Sequence, residues 1–267
     1  MSARLALPSA SPPPGLVVNG ANGRIGRLLR RLWAGGDVVW HTRADGPLGE
    51  ALAGGRTLLC LAGVTSGDAA ALRGNTRAAM EAVSAARASG VGRVLLMSSS
   101  AIYGRTSGPL REETPPAPAN AYGAAKRDME EALADAPEAV ILRLGNVAGA
   151  DALLGRLGDG APTLDIFPDG HGPRRNYLGP ATLAHLLAGL ARHPGPLPRF
   201  LNLGAPGLVD MADLLRAAGR DWVPRPAPPE ALPEVALDTT LLHSFLPLPP
   251  EAATPARIVA EWREATR

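Results

Sequence analysis

The chain predicts an α/β fold, a doubly wound parallel sheet with a smaller lobe toward the C-terminus. Three observations carry this. Short runs that are apolar almost throughout (GLVVNG, DVVWH, RTLLCLAG, GRVLLM, AVILRLG) recur over the first 150 residues. Strands of that kind lie in parallel sheets covered on both faces. Segments with helical periodicity alternate with them, as strand–helix–strand units require. After about residue 150 the rhythm gives way to Gly, Pro and charge, as in DGAPTLDIFPDGHGPRRN.

Composition supports a globular chain. Of 267 residues, 46% are hydrophobic and 19% charged, enough for a real core, while aromatics at 4% leave that core to Ala, Leu and Val. The net charge of +2 comes with arginines spread along the chain, which argues against a nucleic-acid surface. No apolar run reaches the roughly 20 residues of a membrane span. The single Cys60 lies in TLLCLAG and reads as a buried thiol, so neither a disulfide nor a Cys-rich metal site is expected. The Pro/Ser-rich start lacks an apolar signal core. A cytoplasmic protein follows, with a loose tail over 1–14, a nucleotide-binding domain over 15–150 and a substrate lobe over 151–267. Some segments of that lobe are expected to return to the sheet.

The elements follow in order. GLVVNG is a strand, and GANGRIG a turn opening the helix that carries Ile25, Leu28, Leu29 and Leu32. DVVWHTR and RTLLCLAGV are strands separated by a stretch too short for a further helix and strand. NTRAAMEAVSAARASG is an Ala-rich helix ending at Gly90. GRVLLMSSS is a strand, AYGAAKRDMEEAL a helix and AVILRLGNVAG a strand. Beyond lie the helices ATLAHLLAGLARH, MADLLRAAG and ARIVAEWREA, and the strand RFLNLG.

The first chemical motif is the turn. Gly20, Gly23 and Gly26, with Asn22, Arg24 and Ile25 between them, sit where a strand meets a helix. Glycine allows the tight turn and close approach of a pyrophosphate, and the helix N-terminus offers unpaired N–H groups. That is a Rossmann-type dinucleotide site. An acid at the end of the second strand holds the ribose hydroxyls of NAD; here Thr42 and Arg43 stand there, and Arg pairs with a 2′-phosphate. NADP is therefore favoured over NAD, with Asp45 available to a ribose if the loop curls back.

The second motif is Tyr122 and Lys126, one turn apart on one helix face. A phenol titrates near 10, but a neighbouring ammonium and a positioned hydroxyl let it move a proton near neutrality. Ser98, Ser99 and Ser100 end a parallel strand, where open sheets bind ligands.

With these pieces in order, the chain resembles the extended branch of the short-chain dehydrogenase/reductase superfamily, the NAD-dependent epimerase/dehydratase group. NGANGRIG, LAGV, NTRAAMEA, LLMSSSAIYG, AYGAAK, RLGNVAG, RRNYLGPATLA and FLNLGAPG carry the resemblance. It implies that Tyr122 is the acid/base, that Lys126 lowers its pKa and binds the nicotinamide ribose, and that Ser99 is the catalytic serine, with Ser100 as fallback. It implies a cofactor path over Leu61, Ala62, Gly63 and Ser98, with Leu144, Gly145 and Val147 beside the nicotinamide. Ser100, Asn146 and Arg175 would face the substrate, Arg175 gripping a diphosphate, with Arg174 and His171 as further anion donors. A nucleotide sugar and a small carbonyl compound both remain open as substrate. A homodimer through the helices at 74–90 and 121–135 is implied as well. The alternative of another class is a non-catalytic dinucleotide-binding redox sensor.

Overall fold

The computed structural model describes residues 11–158 and 160–267; most of the expected N-terminal tail lies outside them. Its centre is a six-stranded, all-parallel sheet. In chain order the strands are β1 (Leu16–Asn19), β2 (Val38–His41), β3 (Thr57–Cys60), β4 (Arg93–Ser99), β5 (Ala139–Leu144) and β6 (Phe200–Leu203), arranged β6-β5-β4-β3-β1-β2. The sheet starts at β1 and runs outward both ways, so the crevice between β1 and β3 is a topological switch point, where such sheets bind ligands.

Strand alternation splits the core in two. Leu16, Val18, Leu59, Leu95, Leu142 and Leu203 face α1 (Arg24–Leu32), α4 (Pro180–Arg192) and the last helix, α6 (Pro255–Thr266). Val17, Leu58, Cys60, Leu96 and Ile141 face α2 (Gly74–Ala88) and α3 (Ala121–Ala132). Adjacent residues thus serve opposite faces, the period-two geometry of a strand buried on both sides.

Between β2 and β3 the chain holds only a 3-10 turn, Arg43–Asp45, and a single turn of α-helix, Leu48–Ala51, with no strand, and β2 is the sheet edge. The expected trimming of this edge is what the sheet displays. Of the segments after residue 150, β6 joins the sheet beside β5, and α4 packs beneath it. The rest forms a third cluster around Leu164, Tyr177, Leu214 and Ile258, with α5 (Met211–Ala217) packed on α6. Helix α6 serves both bodies, giving Ala265 to the sheet core and Ile258 and Val259 to the lobe. Its Glu261 also accepts from Thr182 N at 2.8 Å, satisfying an orphan donor of α4.

The other end of α4 is closed by Arg93. Its guanidinium donates to the carbonyls of Leu190 (3.0 Å), His193 (2.7 Å) and Gly195 (2.7 Å). A cation on terminal carbonyls favours the helix dipole. Arg93→Ala is expected to lower stability by about 2 kcal/mol, read as a lower urea midpoint at unchanged m-value. Among the described residues, no helix is long and apolar enough to cross a membrane.

Candidate active site

At the switch point the C-terminal strand ends open on a cleft of about 510 Å³. After β1 the chain turns through Gly20 at φ 87°, a conformation that favours glycine. A Cβ at Gly20 would stand 2.5 Å from Ala62 N, and one at Gly26 would stand 2.5 Å from Ala21 O. The turn is therefore pressed onto the exit of β3, and Gly23, Arg24, Ile25 and Gly26 line the cleft. No side chain caps α1, and no acid sits in its first turn. Its orphan N–H groups suit an anion, so the residues present fit the pyrophosphate of a dinucleotide.

The opposite wall carries the polar chemistry. Asn120 caps α3 by accepting from Gly123 N at 2.8 Å, which starts the helix just before Tyr122. Ser99 caps the short turn after β4 by accepting from Ala101 N at 3.2 Å. The Ser99 hydroxyl and the Tyr122 phenol line the same cleft. Burial pushes the Tyr122 phenol above its ordinary value; the Ser99 hydroxyl and the Arg24 charge pull the other way. Lys126 reaches elsewhere, donating to Met97 O at 2.8 Å. Burial brings its ammonium down to about 8, against the opposing fields of Cys60 and Glu130. The Arg24 charge also favours the phenolate, an effect for which the glycine-turn motif gave no signal.

The cleft brings together most of the expected residues: Gly23, Arg24, Ile25, Gly26, Leu61, Gly63, Ser98, Ser99, Tyr122, Lys126, Leu144, Gly145, Asn146 and Val147. Ser98 borders it, but its hydroxyl donates to Glu130 at 2.5 Å. Gly20, Asn22, Ala62, Thr42, Arg43 and Ser100 stand outside its lining. Asp45 has curled back onto the strand end, where its Oδ2 accepts from Thr42 N (2.7 Å) and Thr42 Oγ1 (2.8 Å). Arg43 is exposed beside it.

Arg175 is not brought to the cleft. Its Nη atoms donate to the carbonyls of Arg174 (2.8 Å), Pro233 (3.2 Å) and Leu232 (2.8 Å), tying two lobe segments together. Arg174 pairs with Asp169 and Glu234, and His171 with Asp210. This basic stretch is consumed by its own acids and carbonyls.

Two polar lining residues were not among the expected site residues, although Asn75 opens the NTRAAMEA stretch. Asn75 on α2 binds the loop after β3, accepting from Val64 N (3.1 Å) and donating to Val64 O (2.9 Å). Asp151 lies across the cleft, accepting from Tyr177 Oη at 2.8 Å and, through its backbone carbonyl, from Arg24 Nη1 at 3.3 Å. Asp151 depends on partners far away in the chain, 26 and 127 residues off.

Residues 60–160 match the model of the NAD dependent epimerase/dehydratase family. A UDP-glucose 4-epimerase of Azospirillum brasilense is 42% identical over 96 residues, 34% of this chain and 27% of that protein. The chain therefore matches about a quarter of that relative's length. Solved structures resemble far more of it. An NAD-dependent NDP-hexosamine 5,6-dehydratase, TunA, superposes with a TM-score of 0.74 at 22% identity, covering 93% of this chain and 97% of that one. A UDP-glucuronic acid 4-epimerase from Bacillus cereus, bound to UDP-glucuronic acid and NAD, gives 0.74 at 17% identity, covering 94% and 98%. At these identities the likeness is one of fold.

Proposed function

We propose that this chain, whose residues 60–160 match the NAD dependent epimerase/dehydratase family model, is an enzyme exchanging hydride at a carbinol or carbonyl carbon of a nucleotide sugar. The observation that carries this is the meeting, in one cleft, of an uncapped helix N-terminus with Ser99, Tyr122 and Lys126. A sensor needs the first of these and has no use for the second. The sugar-nucleotide substrate is taken from what the fold relatives bind.

A bound nicotinamide supplies the hydride chemistry. The chain supplies the proton. Tyr122 Oη gives its proton to a carbonyl oxygen as the carbon is reduced, or accepts one as a carbinol is oxidised. Ser99 steadies the same oxygen. Lys126 would hold the cofactor's ribose, and the Arg24 charge favours the phenolate. Tyr122 can serve either direction, as acid in reduction and as base in oxidation.

A specific observation favours simple redox over elimination. Among the described cleft-lining residues the titratable side chains are Arg24, Tyr122, Lys126 and Asp151. Loss of water needs a second acid or base. The Asp151 carboxylate is engaged with Tyr177 Oη and with the N–H groups of Leu154 and Gly155.

The cofactor is proposed to be NADP. Arg43 stands exposed at the ribose end, while the nearby acid is folded onto Thr42. Arg43→Ala is expected to weaken NADPH binding about tenfold, or 1.4 kcal/mol, with NADH affinity unchanged. Tighter NADH binding by the unaltered protein would overturn the assignment. Thermal shift with UDP-sugars and cofactor tests the substrate class, and no stabilisation by any of them would count against it. A homodimer is proposed through α2 and α3, whose Met80 is 52% exposed. Sedimentation at micromolar concentration showing only monomer would remove it.

A further inference from the structure

Lys126 is the one lysine among 27 Lys and Arg residues. Guanidinium stays charged at all working pH values and spreads its donors in a planar fork. Ammonium is a compact charge whose proton affinity yields to burial. Position 126 holds the one side chain of this second kind, and its surroundings contain a competitor. Glu130 stands one turn further along α3 on the same face, and both residues are buried. A carboxylate and an ammonium so placed, away from water, attract strongly.

They are nevertheless kept apart. Ser98 Oγ donates to Glu130 Oε1 at 2.5 Å. Arg143 Nη2 and Nε donate to Oε2 at 2.8 and 3.2 Å. Ser98 and Arg143 are register partners across β4 and β5, so the carboxylate is held by a cross-strand pair. Arg143 is fixed in turn. Its Nη1 donates to Tyr103 Oη (2.9 Å) and Glu112 O (2.7 Å), and its guanidinium stacks over Phe200 at 4.4 Å. Lys126 is left with Met97 O and, at 3.9 Å, the Met129 sulfur. Consecutive residues of β4 thus hold successive turns of α3, Met97 taking Lys126 and Ser98 taking Glu130.

We propose that Arg143 is a positioning residue for Lys126: by holding the Glu130 carboxylate against Ser98, it leaves the ammonium directed at Met97 O and the cleft. The proposal rests on the reading of Lys126 as part of the cofactor site. The titratable groups facing Nζ are Cys60 from β3 and Glu130 from its own helix. Met97 O on β4 and Asn75 on α2 are neutral, and Arg143 lies behind Glu130 on β5. Without Arg143 the carboxylate is uncompensated and draws the ammonium toward itself.

A single lysine gives a single side-chain signal. The full chain, labelled with 13C at lysine Cε, is titrated by NMR as wild type, Arg143→Met, Glu130→Gln and the double variant. The wild-type midpoint is expected near 8. Arg143→Met raises it by about one pH unit, tenfold in proton affinity, and Glu130→Gln lowers it by a similar amount. The double variant returns close to wild type. A packing role alone moves stability and leaves these midpoints together. Coincident midpoints in variants with native circular dichroism overturn the proposal. If Arg143→Met does not fold, an unmoved Glu130→Gln midpoint overturns it equally. NADPH and NADH are then added. Either one is expected to shift the wild-type signal and to bind Arg143→Met about tenfold more weakly. If neither shifts the wild-type signal, the cofactor reading fails, while the positioning role is still decided by the titrations.

Discussion

Replacing Tyr122 with phenylalanine is expected to lower turnover ~10²–10⁴-fold, the usual worth of a positioned acid or base, while dinucleotide affinity stays within about threefold. The asymmetry follows from geometry. The phenol is the group that Ser99 and Arg24 act on, whereas the glycine turn and the uncapped start of α1 lie on the opposite wall. Phenylalanine keeps the ring's packing and removes only the oxygen. The measurement is absorbance of the reduced dinucleotide with the UDP-sugar that stabilises the protein best, beside a fluorescence titration of cofactor binding. Turnover within threefold of wild type would remove Tyr122 from the chemistry and leave the sensor as the better reading.

Replacing Lys126 with methionine is expected to separate stability from function. The ammonium is buried, and its proton affinity falls from 10.5 to about 8. That difference corresponds to about 3 kcal/mol of burial cost as an upper bound. The sign is that of a cation whose folded pKa is depressed. Below about pH 8 both folded and unfolded chains hold the proton, and the cost is present in full. Between there and 10.5 the unfolded chain binds more protons, so the wild type gains stability as pH rises. Lys126→Met is therefore expected to be more stable than wild type at pH 7, by about 2–3 kcal/mol in urea. The gap should narrow toward pH 10. Dinucleotide affinity falls about tenfold. A methionine variant less stable than wild type at pH 7 would show that the bond to Met97 O outweighs the burial of the charge.

The two variants probe different depths of one helix. Tyr122 is at its first turn, capped by Asn120 and facing the cleft. Lys126 is one turn down, between β3 and β4. Glu130 is one turn further, closed inside by Ser98 and Arg143. Moving down α3, side chains pass from chemistry to support, and burial rises with them.

Much of this was legible in the sequence because its signals are local. The alternation that sends Val17 to one face and Val18 to the other is written in four consecutive residues of β1. The spacing of Gly20, Gly23 and Gly26 states a backbone requirement that the contacts of absent Cβ atoms bear out. Tyr122 and Lys126 share a face because an α-helix repeats every 3.6 residues. The short stretch after Arg43 announced a trimmed sheet edge through simple reach.

The tertiary structure decided which partner each polar group takes. Arg175, expected at the substrate, is spent on the carbonyls of residues 232 and 233. Arg24, expected only at the pyrophosphate, also acts on Tyr122. Ser98, expected at the cofactor, serves Glu130, 32 residues away. Buried donors and acceptors must find partners, and an arginine or carboxylate accepts many. Periodicity in the sequence therefore determined the sheet, its helices and the face on which the chemistry stands. The choice among hydrogen-bond partners, made by whichever strands folding brings alongside, settled what each charged residue there can do.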